Sequence, residues 1–301
     1  MSQAPDIPPH DTKETPNWHS IDILGWKIVA TRRPISSAGE CDALQGRLGI
    51  PLPEMTFGGN SLELTHVSSG WRYVFDTEGA LQGVKKGELG PGDGGVKVGY
   101  ADAWMKSRTD PNSQMPLPAT MATKPFDWTY TTTYAGAGST VEWTTADPEN
   151  AAHTIPMAEL TRQDPILFYS EVPLFEDELH DNGTSQLTVR IRVMPTYFYI
   201  LARLTLRVDG VLFRVHDTRM YHSFASAPPL VVRQVSGWEA PYNRVKRLLP
   251  RRDDLTPLTD PNFIGKVLSE LPKQASQEDG AGTGWRGLGT RVEVAVLPAG
   301  L

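Results

Sequence analysis

The sequence is poor in cysteine, in net positive charge and in long apolar runs. Its single cysteine, Cys41, excludes an internal disulfide and a cysteine-based zinc site, and it favours a reducing compartment. The 301-residue chain has 29 Lys and Arg against 35 Asp and Glu, which gives a net charge of -6. Such a chain has no overall positive field, so we expect neither nucleic acid nor an anionic membrane as its partner.

Targeting and membrane segments are also missing. Residues 1–16 are polar and proline-rich, without the basic start and apolar stretch of a signal peptide, and we expect them to be disordered. Charged residues, Arg203 and Asp209 among them, interrupt the most apolar region, 197–215, so no membrane span is predicted. We therefore expect a cytoplasmic protein, with the nucleus as a second compartment.

Glycine and proline are plentiful, at 27 and 25 residues. Inside a helix each Gly costs about 1 kcal/mol and each Pro about 3 kcal/mol relative to Ala, which argues against a helical bundle. Helix signals are few: one at 37–48, one that starts at Thr154 and Pro156 and stops at Asp164-Pro165, and one that Asp260-Pro261 opens and Pro272 closes. The chain is thus predicted to be rich in strands.

The clearest strand pattern lies between residues 187 and 222. Apolar and polar side chains alternate over 187–193 and again over 198–208, which is the period of strands with one buried face. Asp209-Gly210 then fits a two-residue type I′ turn, so the next strand is predicted to fold straight back.

This turn would determine which residues face each other in the hairpin. It pairs Ala202 with Asp217 and Ile200 with Arg219, at the open end of an apolar face. The opposite face would then be basic and able to dock acidic residues of the protein or of a partner. The arginines assigned to that face are Arg190, Arg192, Arg203, Arg207 and Arg214.

An acidic run precedes these strands and allows a second interpretation. The run comprises Glu176, Asp177, Glu178, His180 and Asp181. With His216 and His222 it could supply the two histidines and one carboxylate of a metal-dependent enzyme. The chain has no HExxH spacing, however, which favours a solvated turn that pairs with the basic face.

A basic run lies further along the chain, in Arg244, Lys246, Arg247, Arg251 and Arg252. It is compatible with a nuclear address or a surface for an acidic partner. A solvated surface segment is the favoured interpretation.

Several longer motifs resemble the TIPRL family, the TIP-forty-one-like regulators of TOR signalling that bind catalytic subunits of type 2A protein phosphatases. The motifs are LPEMTFGGNSLEL at 52–64, SRT at 107–109, KPFDWTYTT at 124–132, VPLFEDELHDNG at 172–183, and IRVMPTYFYILARLTLRVDGVLFRVHDTRMYH at 191–222. They occur in one order, and the last two are the most specific.

The resemblance implies a fold class of α+β, mainly antiparallel β, with a two-layer sheet core and a few peripheral helices. A single domain would span 17–272, with inserted loops at 87–95 and 110–120. The remainder, 273–301, would be a flexible tail containing at most one added strand. It also implies a non-enzymatic protein without cofactor or metal.

As to the partner, the resemblance implies binding of the phosphatase catalytic subunit, including its C-terminal tail, with inhibition as the expected effect. A pure scaffold that also holds a second TOR-pathway protein is the alternative. Ile166, Val215 and Asp217 are implied as contact residues, and the predicted hairpin adds Arg219. Asp217 and Arg219 could equally form an internal ion pair. The acidic run, with Arg190, Arg192, Arg203 and Arg214, would provide an electrostatic surface.

Overall fold

The computed structural model describes residues 5–86, 129–138, 141–278 and 286–298. The predicted loops at 87–95 and 110–120 lie outside these ranges.

Within the described ranges the strands form two antiparallel sheets, one of six strands and one of eight. The six-stranded sheet comprises β1 (His10–Glu14), β2 (Trp18–Ile23), β3 (Trp26–Thr31), β5 (Ser61–His66), β6 (Trp71–Asp76) and β7 (Ala137–Gly138). The eight-stranded sheet comprises β4 (Met55–Thr56), β9 (Phe168–Asp177), β10 (Gly183–Val193), β11 (Tyr197–Val208), β12 (Leu212–Ser223), β13 (Leu230–Pro241), β14 (Arg286–Val296) and β8 (Thr144–Thr145).

Helices lie at the periphery. They are α1 (Ala38–Leu48), α2 (Thr77–Lys86), α3 (Met157–Leu160), α4 (Tyr242–Lys246) and α5 (Pro261–Glu278), with 3-10 turns at Ala151–His153 and Thr256–Thr259. The helix predicted at 37–48 is confirmed: Ser37 and Glu40 form a capping box, and Gly49 ends the helix in the left-handed conformation. None of the described helices is long and apolar enough to cross a bilayer.

The two sheets share one apolar core. Ile28 and Leu64 of the six-stranded sheet belong to the same buried cluster as Leu204 and Val189 of the eight-stranded sheet. Polar links cross the same interface, because the Trp26 indole Nε1 donates to His222 Nε2 at 2.9 Å. The predicted fold class, mainly antiparallel β in two layers with few helices, is confirmed.

Two expectations about the chain ends need correction. Residues His10–Glu14, which we expected to be disordered, form β1, whose side chains are all exposed and which is held by its backbone ladder to β2. Helix α5 does not close at Pro272 but continues to Glu278. The segment 273–301 was expected to contain at most one added strand, and Arg286–Val296 forms such a strand, paired with β13.

The predicted register of the β11–β12 hairpin is also wrong, by one residue. Gly210 has φ of +73°, but Asp209 is not in the left-handed region that a type I′ turn requires. The loop therefore includes Val211, and Val208 pairs with Leu212. Arg203 consequently pairs with Asp217, where the two-residue turn would have paired Ala202 with it.

As a result, β12 has its two faces reversed relative to the prediction, and both faces are buried. On the inner face, towards the six-stranded sheet, Arg214 and His216 lie opposite Leu206 and Leu204. On the outer face, Phe213 and Val215 pack in a second cluster with helix α5, through Ile264, Leu268 and Leu271. We call the side of the eight-stranded sheet that α5 covers the outer face.

Candidate functional site

The outer face carries a buried ion cluster built on two neighbouring strands. Asp217 of β12 is 1% exposed and accepts two hydrogen bonds from Arg203 of β11, Nε to Oδ1 and Nη2 to Oδ2, both 2.7 Å long. Arg219 adds a third, from Nη2 to Asp217 Oδ2 at 2.6 Å, and its Nη1 donates to Ser236 Oγ at 3.0 Å. A carboxylate so enclosed is fully paired within the chain, which supports the internal ion pair of the two alternatives.

This cluster also fixes the start of helix α5. Arg203 Nη1 donates to the Pro261 carbonyl oxygen at 3.2 Å. The helix passes directly over the guanidinium at Gly265, where an added Cβ would lie 2.4 Å from Arg203 Nη1. The absence of a side chain at this position allows the helix to approach so closely.

A polar cleft of about 250 Å³ opens beside the cluster, between β9, β10 and β11 on one side and the 3-10 turn and α5 on the other. Its lining residues are Glu176, Thr184, Gln186, Thr205, Arg207, Leu258, Thr259 and Pro261. Thr205 is 7% exposed, and its Oγ1 has no hydrogen-bond partner among the described residues. Buried hydroxyl groups are usually paired, so this one suits a ligand that brings an acceptor or donor.

The cleft lies next to one of the residues implied by the motif resemblance. Thr205 pairs directly with Val215 across β11 and β12. Val215 itself is fully buried beneath α5, and Asp217 lies at the next outward-facing position of its strand. These two residues are therefore buried beside the cleft, they are not among the residues that line it, and they do not face solvent.

The acidic run divides into residues with different surroundings. Glu176 lines the cleft, and burial, with a smaller effect of Glu178, raises the pKa of its carboxyl. Asp177 is buried and accepts from the backbone N–H groups of Glu54 and Leu179 at 3.0 and 2.7 Å. Glu178, His180 and Asp181 are exposed at the turn. Asp177 is thus a structural anchor and not part of an electrostatic partner surface.

The two histidines of the metal-site alternative lie away from this turn. His216 is on the inner face of β12, and burial, reinforced by Arg214, lowers its pKa to about 3. His222 accepts from Trp26, has Nδ1 2.8 Å from the Leu230 carbonyl oxygen, and has a pKa that burial lowers to about 4. Across the described ranges, no three His, Cys, Asp or Glu side chains are placed to hold one metal ion.

The predicted basic face is realised only in part. Arg190 and Arg192 lie on the outer face with Arg203, but Arg190 is paired with Glu171 at 2.9 Å, and Arg192 donates to the Leu160 carbonyl oxygen. Arg214 is not on this face. Because of the register change it is fully buried on the inner face, where its Nε donates to Glu239 at 3.0 Å.

Ile166 is exposed, but the structure does not bring it to the cleft. It precedes β9, near the end of β10 that contains Val193, because Leu167 N donates to the Val193 carbonyl oxygen. The ion cluster lies level with Thr188, which pairs with Arg203. Five residues of strand separate the two levels, or about 16 Å.

Residue patterns alone did not identify the cleft. Thr205 and Leu258 come from segments more than fifty residues apart, and no local motif marks their meeting. One sequence signal pointed towards it. The apolar stripe of Ile264 and Leu268 predicts a helix that must pack against an apolar surface, and Phe213 and Val215 on the outer face of β12 provide that surface.

The fold and this geometry define a mainly antiparallel β protein whose outer sheet face carries a helix-bounded polar cleft. Comparison with known proteins identifies a family within this structural class. The family model described as "TIP41-like family" matches residues 55–246. The chain belongs to this family, which confirms the resemblance drawn from the motifs.

Curated relatives cover most of the chain. A "TIP41-like protein" of Homo sapiens is 35% identical over 246 residues, which is 81% of this chain and 83% of that protein. A "TIP41-like protein" of Arabidopsis thaliana is 37% identical over 269 residues, covering 82% and 86%. The similar protein of Saccharomyces cerevisiae, 34% identical over 269 residues and covering 85% and 73%, is named "Type 2A phosphatase activator TIP41".

Proposed function

We propose that this protein is a non-enzymatic regulator that binds the catalytic subunit of type 2A protein phosphatases. Two family relatives, from Saccharomyces cerevisiae and Schizosaccharomyces pombe, are named type 2A phosphatase activators, and both resemble this chain over more than three quarters of its length. The observation that carries the proposal on this chain is the outer-face cleft, with a Thr205 hydroxyl that has no hydrogen-bond partner among the described residues.

The cleft is the proposed site for the C-terminal tail of the phosphatase subunit. A chain terminus in extended conformation offers backbone groups that can pair with the Thr205 hydroxyl, the Gln186 amide and Arg207. The 3-10 turn and the start of helix α5 form the opposite wall, so a tail held here would be enclosed on both sides. Its capture is proposed to lower phosphatase activity within TOR signalling, in the cytoplasm and also in the nucleus.

Arg219 provides a second proposed contact, beside the ion cluster and outside the residues that line the cleft. Its side chain is 22% exposed, whereas Asp217 beneath it is 1% exposed. Asp217 therefore acts on binding through Arg219, whose guanidinium it holds, and through the position of α5. Ile166, exposed at the far end of β9, would contribute a separate apolar contact.

The test is a pull-down with purified phosphatase catalytic subunit, followed by its activity assay with and without this protein. We expect capture of the intact subunit, weaker capture of a subunit without its tail, and lower activity in the complex. Arg219→Ala should weaken capture, whereas Arg72→Ala, an exposed arginine on the other sheet, should not. Absence of capture would refute the function. Equal capture of the subunit with and without its tail would refute the cleft as the tail-binding site. Higher phosphatase activity in the complex would show that this protein activates the phosphatase and does not inhibit it.

A further inference from the structure

The basic segment, residues 244–252, contrasts in charge with the rest of the molecule. It holds five of the 29 Lys and Arg residues and no acidic residue, in a chain with a net charge of -6. The family match ends at residue 246, so most of the segment lies beyond it. Its role can therefore be inferred independently of the phosphatase proposal.

The segment is fixed to the protein through its apolar residues. Val245 is fully buried and Leu249 is 6% exposed, and both belong to the cluster formed with Leu258 and Ile264 beneath α5. The backbone forms a helical turn there, since Arg247 N donates to the Asn243 carbonyl oxygen at 3.3 Å. Because Val245 and Leu249 point inward, Lys246 and Arg247 between them are directed into solvent.

Four of these cations are exposed: Lys246, Arg247, Arg251 and Arg252. Within the part of the chain that the structure describes, none of the four has a carboxylate within ion-pair distance. This differs from Arg190, Arg203 and Arg233, each of which is paired with an acidic side chain. The segment also presents Leu248, which is 38% exposed.

We infer that the basic segment is a docking surface for an acidic polypeptide segment of a partner protein. Four exposed cations without an ion-pair partner in the described part of the chain are complementary to a short run of carboxylates. The exposed Leu248 adds an apolar contact of the kind found in protein interfaces. The net negative charge of the chain opposes a long polyanion such as DNA. Helix α4, with five residues, is too short to lie on a lipid surface as an amphipathic helix.

The test measures binding of a fluorescent oligoglutamate peptide to the full-length protein by anisotropy at low salt. The triple variant Arg247→Glu, Arg251→Glu, Arg252→Glu should weaken binding about tenfold or more, because exposed charge contacts are individually small but add. The matched control, Lys13→Glu, Lys27→Glu, Arg72→Glu, makes the same charge change at exposed sites of the other sheet and should have a much smaller effect. Thermal melts of both variants confirm folding.

Three outcomes would overturn the inference. They are unchanged peptide binding by the segment variant, equal loss by the two triple variants, and tighter binding of duplex DNA or anionic vesicles than of the peptide. If the segment variant does not fold, the single change Arg251→Glu replaces it, with Arg72→Glu as its control. The inference would then be supported by a measurable loss of peptide binding, smaller than that expected of the triple variant, in Arg251→Glu but not in Arg72→Glu.

Discussion

Arg203 and Asp217 face each other across β11 and β12 and form a two-pronged ion pair with both hydrogen bonds at 2.7 Å. The pair lies under the start of helix α5, and the same guanidinium donates to the Pro261 carbonyl oxygen. The ion pair therefore connects the strands to the helix wall of the cleft.

Asp217→Asn should destabilise the protein by about 3 kcal/mol. This value is near the lower end of the range for removing one partner of a buried ion pair, because Arg219 is partly exposed and can be hydrated again. Urea denaturation measures this free energy of unfolding. Glu63→Gln is the control: that carboxylate is 41% exposed and 3.5 Å from Arg72, so its loss should cost less than about 1 kcal/mol. An Asp217→Asn variant as stable as the wild type would show that the cluster does not hold the sheet and helix together.

Gly265→Ala should destabilise the protein by about 1 to 3 kcal/mol, although alanine normally favours a helix. The new methyl group would meet Arg203 Nη1 at 2.4 Å, and the guanidinium cannot move without losing Asp217 or Pro261. Gly46→Ala in α1 is the matched change, since nothing lies within 4 Å of its added Cβ, and it should stabilise by up to about 1 kcal/mol. Equal shifts in melting temperature for the two variants would contradict this account.

Acid should destabilise the protein through its buried histidines. His216 and His222 have pKa values lowered to about 3 and about 4, against an ordinary value of 6.5, so below pH 6.5 the unfolded chain binds protons that the folded chain does not. Stability is thus full above pH 6.5 and falls as the pH drops towards these values, by up to about 1.4 kcal/mol per pH unit for each histidine.

The variant His216→Leu isolates this effect, because it removes one of the two titrating groups and leaves the other. Its free energy of unfolding, measured between pH 6.5 and 5, should fall less steeply than that of the wild type by up to about 1.4 kcal/mol per pH unit. Most exposed carboxylates titrate below this window. An unchanged slope would mean that His216 is protonated in the folded protein.

Thr205→Val tests the cleft itself. The hydroxyl has no partner among the described residues, so an isosteric valine should leave the melting temperature unchanged or raise it. A peptide with the sequence of the phosphatase tail should bind about fivefold more weakly, because the valine cannot make the hydrogen bond that the Thr205 hydroxyl makes to the peptide. Thr65→Val, on the other sheet, is the control. Tighter peptide binding by Thr205→Val would show that the hydroxyl does not contact the tail.

Local features of the fold could be predicted from the sequence, whereas features set by one backbone angle or by distant segments could not. The helix signals at 37–48 and the alternation over 198–208 are local, and both are confirmed. The side of β12 that Arg214 occupies depended on φ at Asp209, since a turn one residue longer reverses every side chain after it.

The site residues show the same division. Arg219 was correctly placed beside Asp217, because residues two apart on a strand share a face whatever the register. The burial of Val215 and the cleft beside Thr205 arise from helix α5, about fifty residues later in the chain, and no strand pattern could indicate which face that helix would cover.

Because β12 is packed on both sides, it should tolerate substitution differently from an ordinary edge or surface strand. An alanine scan of a strand with one buried face shows losses at every second position. Along 213–218 every residue is at least nine-tenths buried, so the scan should instead show losses at consecutive positions. Deleting one residue from the neighbouring turn would exchange the two packed surfaces at once, and the hairpin loop should accordingly resist changes in length more than surface loops usually do.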